Sequence, residues 1–134
     1  MTPRETLLAD LRRACPAFGP ACDAFVAAYA DTPGGLPLYI LMGDLIPVCS
    51  TLQRDGRGAE LAPVFALIEG WLTGGDDYTR TLAVTGFLED LQNGALHRGT
   101  RPDDFHPMLG ARAREAWDQL NGFWSIPWKP GPQR

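Results

Sequence analysis

The pattern of apolar positions predicts that two adjacent helices between residues 61 and 91 organise the chain. In the first half, apolar residues recur at intervals of three and four, which is the spacing of one helix face: Leu61, Val64, Phe65, Ile68 and Leu72. In the second half they cover more than one face: Leu82, Ala83, Val84, Phe87, Leu88 and Leu91. Two helices joined by a short turn lie antiparallel, and neither can bury its apolar face alone. We therefore expect the other helices to pack around this pair.

The turn between the two helices has its own signals. Gly74 and Gly75 can supply the left-handed residue that ends a helix, and Asp76 or Asp77 can cap the helix that follows.

Three helices are predicted before the pair. The first begins with Thr2 as its N-cap and ends near residue 14, and the second spans about residues 20–30. The third spans residues 37–55 and contains Pro47, which removes one backbone hydrogen bond; we predict one bent helix rather than two helices.

After the pair, Asn93-Gly94 is typical of a helix C-cap, and residues 95–104 are polar, so we expect a solvated loop there. The next segment is expected to form a short turn that fills the core with Phe105, Met108 and Leu109. The last helix is predicted over residues 111–124, and the proline-rich residues 125–134 are predicted to form an extended tail.

No segment shows the alternation of apolar and polar residues that is typical of a strand. The prediction is therefore an all-α, single-domain bundle of five to six helices over residues 1–124, built of antiparallel pairs, with a HEAT-like stack as one such arrangement. We find no clear internal repeat of solenoid period.

Composition restricts the class of protein further. With 134 residues, 45% of them hydrophobic, the chain can build one core, and no apolar run is long enough to span a membrane. Three cysteines without metal-binding spacing, and an N-terminus too polar for a secretory signal, indicate buried, reduced thiols in a cytoplasmic protein. The net charge of −4 lies mostly in the second half, which argues against a nucleic-acid partner and is compatible with a basic protein partner or with solubility alone.

The search for catalytic chemistry finds little. His97 and His106 flank Asp103 and Asp104, where a metal site could be drawn, but the spacing matches no ligand pattern and we expect no metal. There is no serine in a nucleophile-elbow pattern and no glycine-rich phosphate loop, so we expect no cofactor and no enzyme activity.

Carboxylates and tryptophans are the more informative residues. Glu69 and Glu89 lie in helices with little polar surface, which indicates either a paired acidic site or a structural role. In the structural role, Glu69 would bond Arg80 or the amide groups that open the next helix. Trp71 and Trp128 could be partly exposed and serve as interface aromatics.

Two stretches carry a family resemblance. They are residues 65–93, which read FALIEGWLTGGDDYTRTLAVTGFLEDLQN, and residues 105–124, which read FHPMLGARAREAWDQLNGFW. They resemble a group of small all-helical bacterial proteins that are found near polymorphic and contact-dependent toxin genes and act as immunity proteins. The resemblance covers about residues 60–124 and implies a class of function, with no catalytic residue.

The resemblance implies that the protein binds a cognate toxin domain, such as a nuclease with a basic cleft, and occludes its active or substrate-binding surface. The expected contact residues are acidic or lie beside acidic residues: Asp76, Asp77, Glu89, Asp90, Asp103, Asp104, Trp71 and Glu69. The loop of residues 31–38 is a second candidate. Two alternatives stay open: a helical adaptor or regulatory subunit of a stable complex, and a small metal-dependent enzyme that would use His97, His106, Asp103 and Asp104.

Overall fold

The computed structural model describes the backbone of residues 3–125 and the side chains of residues 6–122. This part of the chain is all-α, with no strand. Its α-helices are α1 (Pro3–Ala14), α2 (Gly19–Tyr29), α3 (Leu38–Arg54), α4 (Ala62–Gly74), α5 (Asp77–Thr81), α6 (Glu89–Leu91) and α7 (Ala111–Ser125). Short 3-10 turns connect them at Pro16–Phe18, Gly58–Leu61, Gly94–Leu96 and Pro102–Met108.

The predicted helices are confirmed within one or two residues at most ends. α3 is a single helix that contains Pro47, as predicted. Thr2, the predicted N-cap of α1, and the predicted tail after Ser125 lie outside the described residues.

The second helix of the central pair is not a regular α-helix. It runs without a break from Asp77 to Leu91, but its middle, Leu82–Leu88, is π-helical. In a π-helix the backbone hydrogen bonds reach five residues instead of four. The side chains of α6 therefore point in other directions around the helix axis than they would after an uninterrupted α-helix.

The turn before α5 confirms one expectation and corrects another. The Asp76 carboxylate accepts a hydrogen bond from the Thr79 amide at 2.8 Å, so Asp76 is the N-cap. Gly74 and Gly75 are not left-handed, since neither has a positive φ. Gly75 is needed for space instead, because a Cβ atom there would overlap the Trp71 carbonyl oxygen.

One core cluster connects all the larger helices among the described residues. Phe65 of α4 packs against Phe87 of the π-helical segment and against Phe105, with ring centroids 6.0 and 6.4 Å apart. The predicted burial of Phe105 and Leu109 is confirmed. The expectation that Trp71 is partly exposed is wrong: it is 4% exposed, because α5 folds back against the end of α4.

The segment after α6 is largely exposed, as its composition predicts, but it contains 3-10 turns and one buried residue, His97. Gln92 is the C-cap of α6, so Asn93-Gly94 does not form the predicted C-cap. The Asn93 side chain instead accepts a hydrogen bond from the Ala95 amide at 3.0 Å. Asn93 therefore opens the next 3-10 turn rather than ending the helix.

His97 anchors this segment to the core. Its Nε2 donates to the Leu91 carbonyl at 2.7 Å, so Nδ1 accepts from the Thr100 hydroxyl at 2.8 Å. The Thr100 oxygen is bonded in turn to the Ser50 hydroxyl, which accepts from the Arg98 amide at 2.6 Å. This buried network joins the segment to both α3 and α6.

The three cysteines are free and buried, as predicted. Burial raises the pKa of the Cys15, Cys22 and Cys49 thiols. None of the helices in residues 3–125 is long and apolar enough to cross a membrane.

Candidate functional site

An open pocket of about 700 Å³ lies between α6, the Pro102–Met108 turn and the C-terminal half of α7. We call it the acidic pocket. Its lining consists of Glu89, Asp90, Gln92, Asn93, Gly94, Arg101, Pro102, Asp103 and Asn121. Three of the eight predicted contact residues, Glu89, Asp90 and Asp103, therefore lie around one cavity.

Local hydrogen bonds hold both walls of the acidic pocket in place. On the α6 side, the Gln92 side-chain amide donates to the Trp117 carbonyl of α7 at 3.0 Å. On the other side, the Asp104 carboxylate accepts from the Arg101 amide at 2.8 Å, and the Asp104 amide donates to the Arg101 carbonyl at 3.0 Å. The predicted residue Asp104 thus stabilises the turn that presents Asp103.

The carboxylates of the acidic pocket lack positive partners. The side chains of Glu89, Asp90 and Asp103 make no hydrogen bond or ion pair with the described residues, and Arg101 is the one basic residue in the lining. A pocket with three unpaired carboxylates and one guanidinium group has an excess of negative charge, which suits a ligand that carries an ammonium or guanidinium group.

Asp90 has the most perturbed carboxyl group of the pocket. Its burial raises its pKa to about 6, and the neighbouring charge of Glu89 adds to the effect. Its Oδ2 atom faces α3 at Gly43, where a Cβ atom would lie 3.4 Å away. A cation bound in the pocket would stabilise the ionised form of the Asp90 carboxylate and lower its pKa again.

Asp76 and Asp77 do not belong to the acidic pocket. They lie at the N-terminal end of the helix whose C-terminal end carries Glu89 and Asp90, roughly 18 Å away along the axis. Asp76 caps the helix, and Asp77 forms an ion pair with Arg80. The six predicted aspartates and glutamates of the expected patch therefore form two separate groups.

Glu69 and Trp71 serve the fold. The Glu69 carboxylate accepts hydrogen bonds from the Arg112 and Ala113 amides at 2.8 and 2.9 Å, at the start of α7. This is the structural role considered for Glu69, but at the last helix rather than at the next one, while Trp71 is buried in the core.

The two histidines do not form a metal site with their neighbours. Both ring nitrogens of His97 are used in the buried network, and His106 Nε2 lies 3.7 Å from an Asp118 carboxylate oxygen. Over residues 3–125, no group of three His, Cys, Asp or Glu side chains could hold a metal ion.

Sequence reasoning missed an exposed apolar pair at the start of α3. Tyr39 and Ile40 are 40% and 43% exposed, although the whole helix reads as apolar. Tyr39 makes an edge-to-face contact with Tyr78, with ring centroids 6.2 Å apart. The pair directly follows the loop of residues 31–38. This position next to a candidate contact loop is the one feature of the sequence that could have indicated the exposure of Tyr39 and Ile40.

In a comparison with protein families, the model of a domain of unknown function, DUF7674, matches residues 8–125. The chain belongs to this family. The match includes every residue of the acidic pocket. No curated protein and no solved structure matches the chain. The description of the family names no activity, so the function proposed below rests on the geometry of the acidic pocket.

Proposed function

We propose that the protein is an immunity protein that neutralises a cognate bacterial toxin by binding a basic surface of the toxin domain with the acidic pocket. The observation that carries the proposal is the set of three carboxylates, Glu89, Asp90 and Asp103, that line one cavity without a described positive partner. The resemblance of residues 60–124 to toxin-associated immunity proteins supports the same class of function.

A carboxylate that is partly removed from water and unpaired destabilises its own folded protein. A lysine or arginine of a partner would supply the missing hydrogen bonds, and the gain would contribute to affinity. The net charge of −4 would in addition speed the encounter with a basic toxin domain.

The acidic pocket has the size of a site for side chains rather than for a whole helix. A volume of about 700 Å³ accommodates one or two long basic side chains of a partner. Occlusion of the toxin would follow if those side chains belong to its substrate-binding cleft, because basic clefts are what nucleases use to hold phosphates.

The test uses two triple variants with the same change in charge. The pocket variant carries Glu89→Gln, Asp90→Asn and Asp103→Asn. The control variant carries Asp10→Asn, Asp23→Asn and Glu115→Gln, which remove three carboxylates from ion pairs outside the acidic pocket. Each variant is co-expressed with the toxin domain that co-purifies with the wild-type protein, and growth and the affinity of the purified pair are measured.

We expect the pocket variant to lose protection and to bind at least roughly tenfold more weakly, with a flatter salt dependence. The control variant should protect like the wild type. Equal effects of both variants would mean that only net charge matters and would contradict the assignment to the acidic pocket. Full protection by the pocket variant would exclude it directly.

A second candidate function is a helical adaptor in a stable complex, and the exposed pair Tyr39 and Ile40 favours it. Exposed aromatic and aliphatic side chains are the anchors that protein interfaces use. In that case Tyr39→Ala with Ile40→Ala would abolish co-purification of the partner, whereas the pocket variant would retain it.

A further inference from the structure

A second, oppositely charged site also borders residues 93–103. It is a shallow groove of about 480 Å³ with an apolar floor of Ala17, Pro47, Val48 and Leu52. Its rim carries Thr51 and three arginines, Arg54, Arg57 and Arg98, and its lining contains no carboxylate. We call it the arginine groove.

The fold holds the backbone of Arg98 in the arginine groove through the His97 network. The Arg98 amide donates to the Ser50 hydroxyl of α3 at 2.6 Å, and the chain of bonds continues through Thr100 and His97 to the Leu91 carbonyl. This network therefore reaches Arg98, whose guanidinium group donates to the His97 carbonyl at 3.3 Å and makes no ion pair with a described residue.

The end of α3 brings the other two arginines to the same place. The Arg57 amide donates to the Leu52 carbonyl at 2.8 Å, and the Gly56 amide donates to the Gln53 carbonyl at 3.2 Å, with Gly56 at φ +78°. These bonds form a Schellman motif, which turns the chain back and pairs the last carbonyls of the helix. Arg54 donates to the Arg98 carbonyl at 3.3 Å, which joins the two parts of the rim.

Neighbouring acids orient these arginines and neutralise them only in part. Glu60 pairs with the Arg57 guanidinium through two hydrogen bonds, 2.6 and 3.0 Å long, and Asp55 lies 3.3 Å from Arg54. Both carboxylates lie outside the groove lining. Three guanidinium groups therefore lie together on the rim, and only two carboxylates lie beside them. Because like charges at close range repel each other, this arrangement favours the binding of an additional anion.

We infer that the arginine groove is a binding site for a small organic anion, a phosphate monoester or a carboxylate attached to an apolar group. Guanidinium groups match the oxygens of both anions with paired hydrogen bonds. The apolar floor provides a surface for the rest of the ligand, and the volume is in the range of small-molecule sites. The inference does not depend on the proposed toxin-binding function, because the two sites share no lining residue.

The experiment is an NMR titration of the full chain, with the backbone amide signals of Thr51 and Arg98 as reporters. The probes are phenyl phosphate, phenylacetate, inorganic phosphate and uncharged benzyl alcohol. We expect saturable shifts of the groove amides with the organic anions, with a Kd of about 1–10 mM for the better one. Inorganic phosphate should bind more weakly, and benzyl alcohol should cause no saturable shift. The better of the two organic anions identifies the preferred acid group.

Two variants separate a built site from general charge attraction. Arg98→Gln keeps the backbone amide that bonds Ser50, and we expect it to weaken binding roughly three- to tenfold. Arg112→Gln removes the same charge from an exposed pair with Glu115 and should leave the Kd unchanged. Shifts outside the groove, equal effects of both variants, or equal binding of phenyl phosphate and inorganic phosphate would overturn the inference.

Discussion

At the scale of single residues, Asp90 differs most from an ordinary surface carboxylate. It faces Gly43 of α3, follows Glu89 in the chain and shares the acidic pocket with Asp103 and Arg101. Burial and the charge of Glu89 raise its pKa to about 6. The ionised form therefore destabilises the folded protein at neutral pH, which is understandable if the charge is kept for a partner.

The first prediction is that Asp90→Asn stabilises the protein at neutral pH. Because the folded pKa exceeds the unfolded one, stability is greatest below about pH 4 and is lost as the pH rises through about 6. At neutral pH the variant should gain about 1 kcal/mol in the free energy of unfolding, reduced by solvent screening, and near pH 4 it should gain nothing. Urea unfolding at both pH values measures this difference. A gain independent of pH, or the same behaviour in Glu115→Gln, would contradict it.

The second prediction concerns the buried His97. His97→Phe leaves the Leu91 carbonyl without its side-chain donor and leaves the Thr100 hydroxyl with Ser50 as its remaining partner, so we expect it to cost about 2–4 kcal/mol of unfolding free energy. His106→Phe is the control, since His106 is partly exposed, has a loose ion pair with Asp118 and makes an edge contact with the Trp117 ring that phenylalanine can keep; it should change stability by less than about 1 kcal/mol. Similar losses in both variants would show that the network is not a specific source of stability.

At the scale of elements, sequence periodicity located most helices because prolines, glycines and capping residues separate them. It could not reveal the π-helical segment Leu82–Leu88, because apolar residues that cover several faces do not distinguish a π turn from an α turn. Nor could it reveal the burial of His97, which depends on Ser50, a residue far away in the sequence.

The acidic pocket could be predicted from the sequence only in part, because its residues come from two separate segments of the chain. Glu89 lies in an apolar helix and Asp90 follows it in the chain, but their grouping with Asp103 depends on how the Pro102–Met108 turn packs, which no local pattern encodes. The separation of Asp76 and Asp77 from them follows from helix length and could have been derived from the sequence.

The third prediction tests the cap of α7. Glu69→Ala removes the acceptor for the Arg112 and Ala113 amides and should cost about 1–2 kcal/mol. Gly110→Ala should interfere with the same cap, because its methyl group would lie 2.6 Å from the Glu69 carboxyl carbon. Unfolding of both single variants and the double variant measures the coupling. The double variant should lose less than the sum, and strict additivity would contradict the role of Glu69 as a cap.

At the scale of the whole molecule, two sites of opposite charge border residues 93–103. The acidic pocket uses Asp103 and Arg101 of this segment, and the arginine groove uses Arg98. The buried bonds of His97 hold the segment between them. We therefore expect losses at His97 to weaken both sites, in addition to their effect on stability.

The fourth prediction concerns the thiols. All three cysteines are buried, and burial raises the pKa of each thiol. An aromatic disulfide reagent should therefore label none of them in the native protein at neutral pH and all three in denaturant. Rapid labelling of even one thiol in the native state would show that the core opens locally.

The most direct test of the proposed function is purification of the tagged protein from its native cells, with the bound protein identified by mass spectrometry. An immunity protein should retain, in stoichiometric amounts, the C-terminal domain of a toxin, and the pocket variant should release it while the control variant keeps it. A housekeeping complex that binds both variants equally would contradict the proposal and favour the adaptor function.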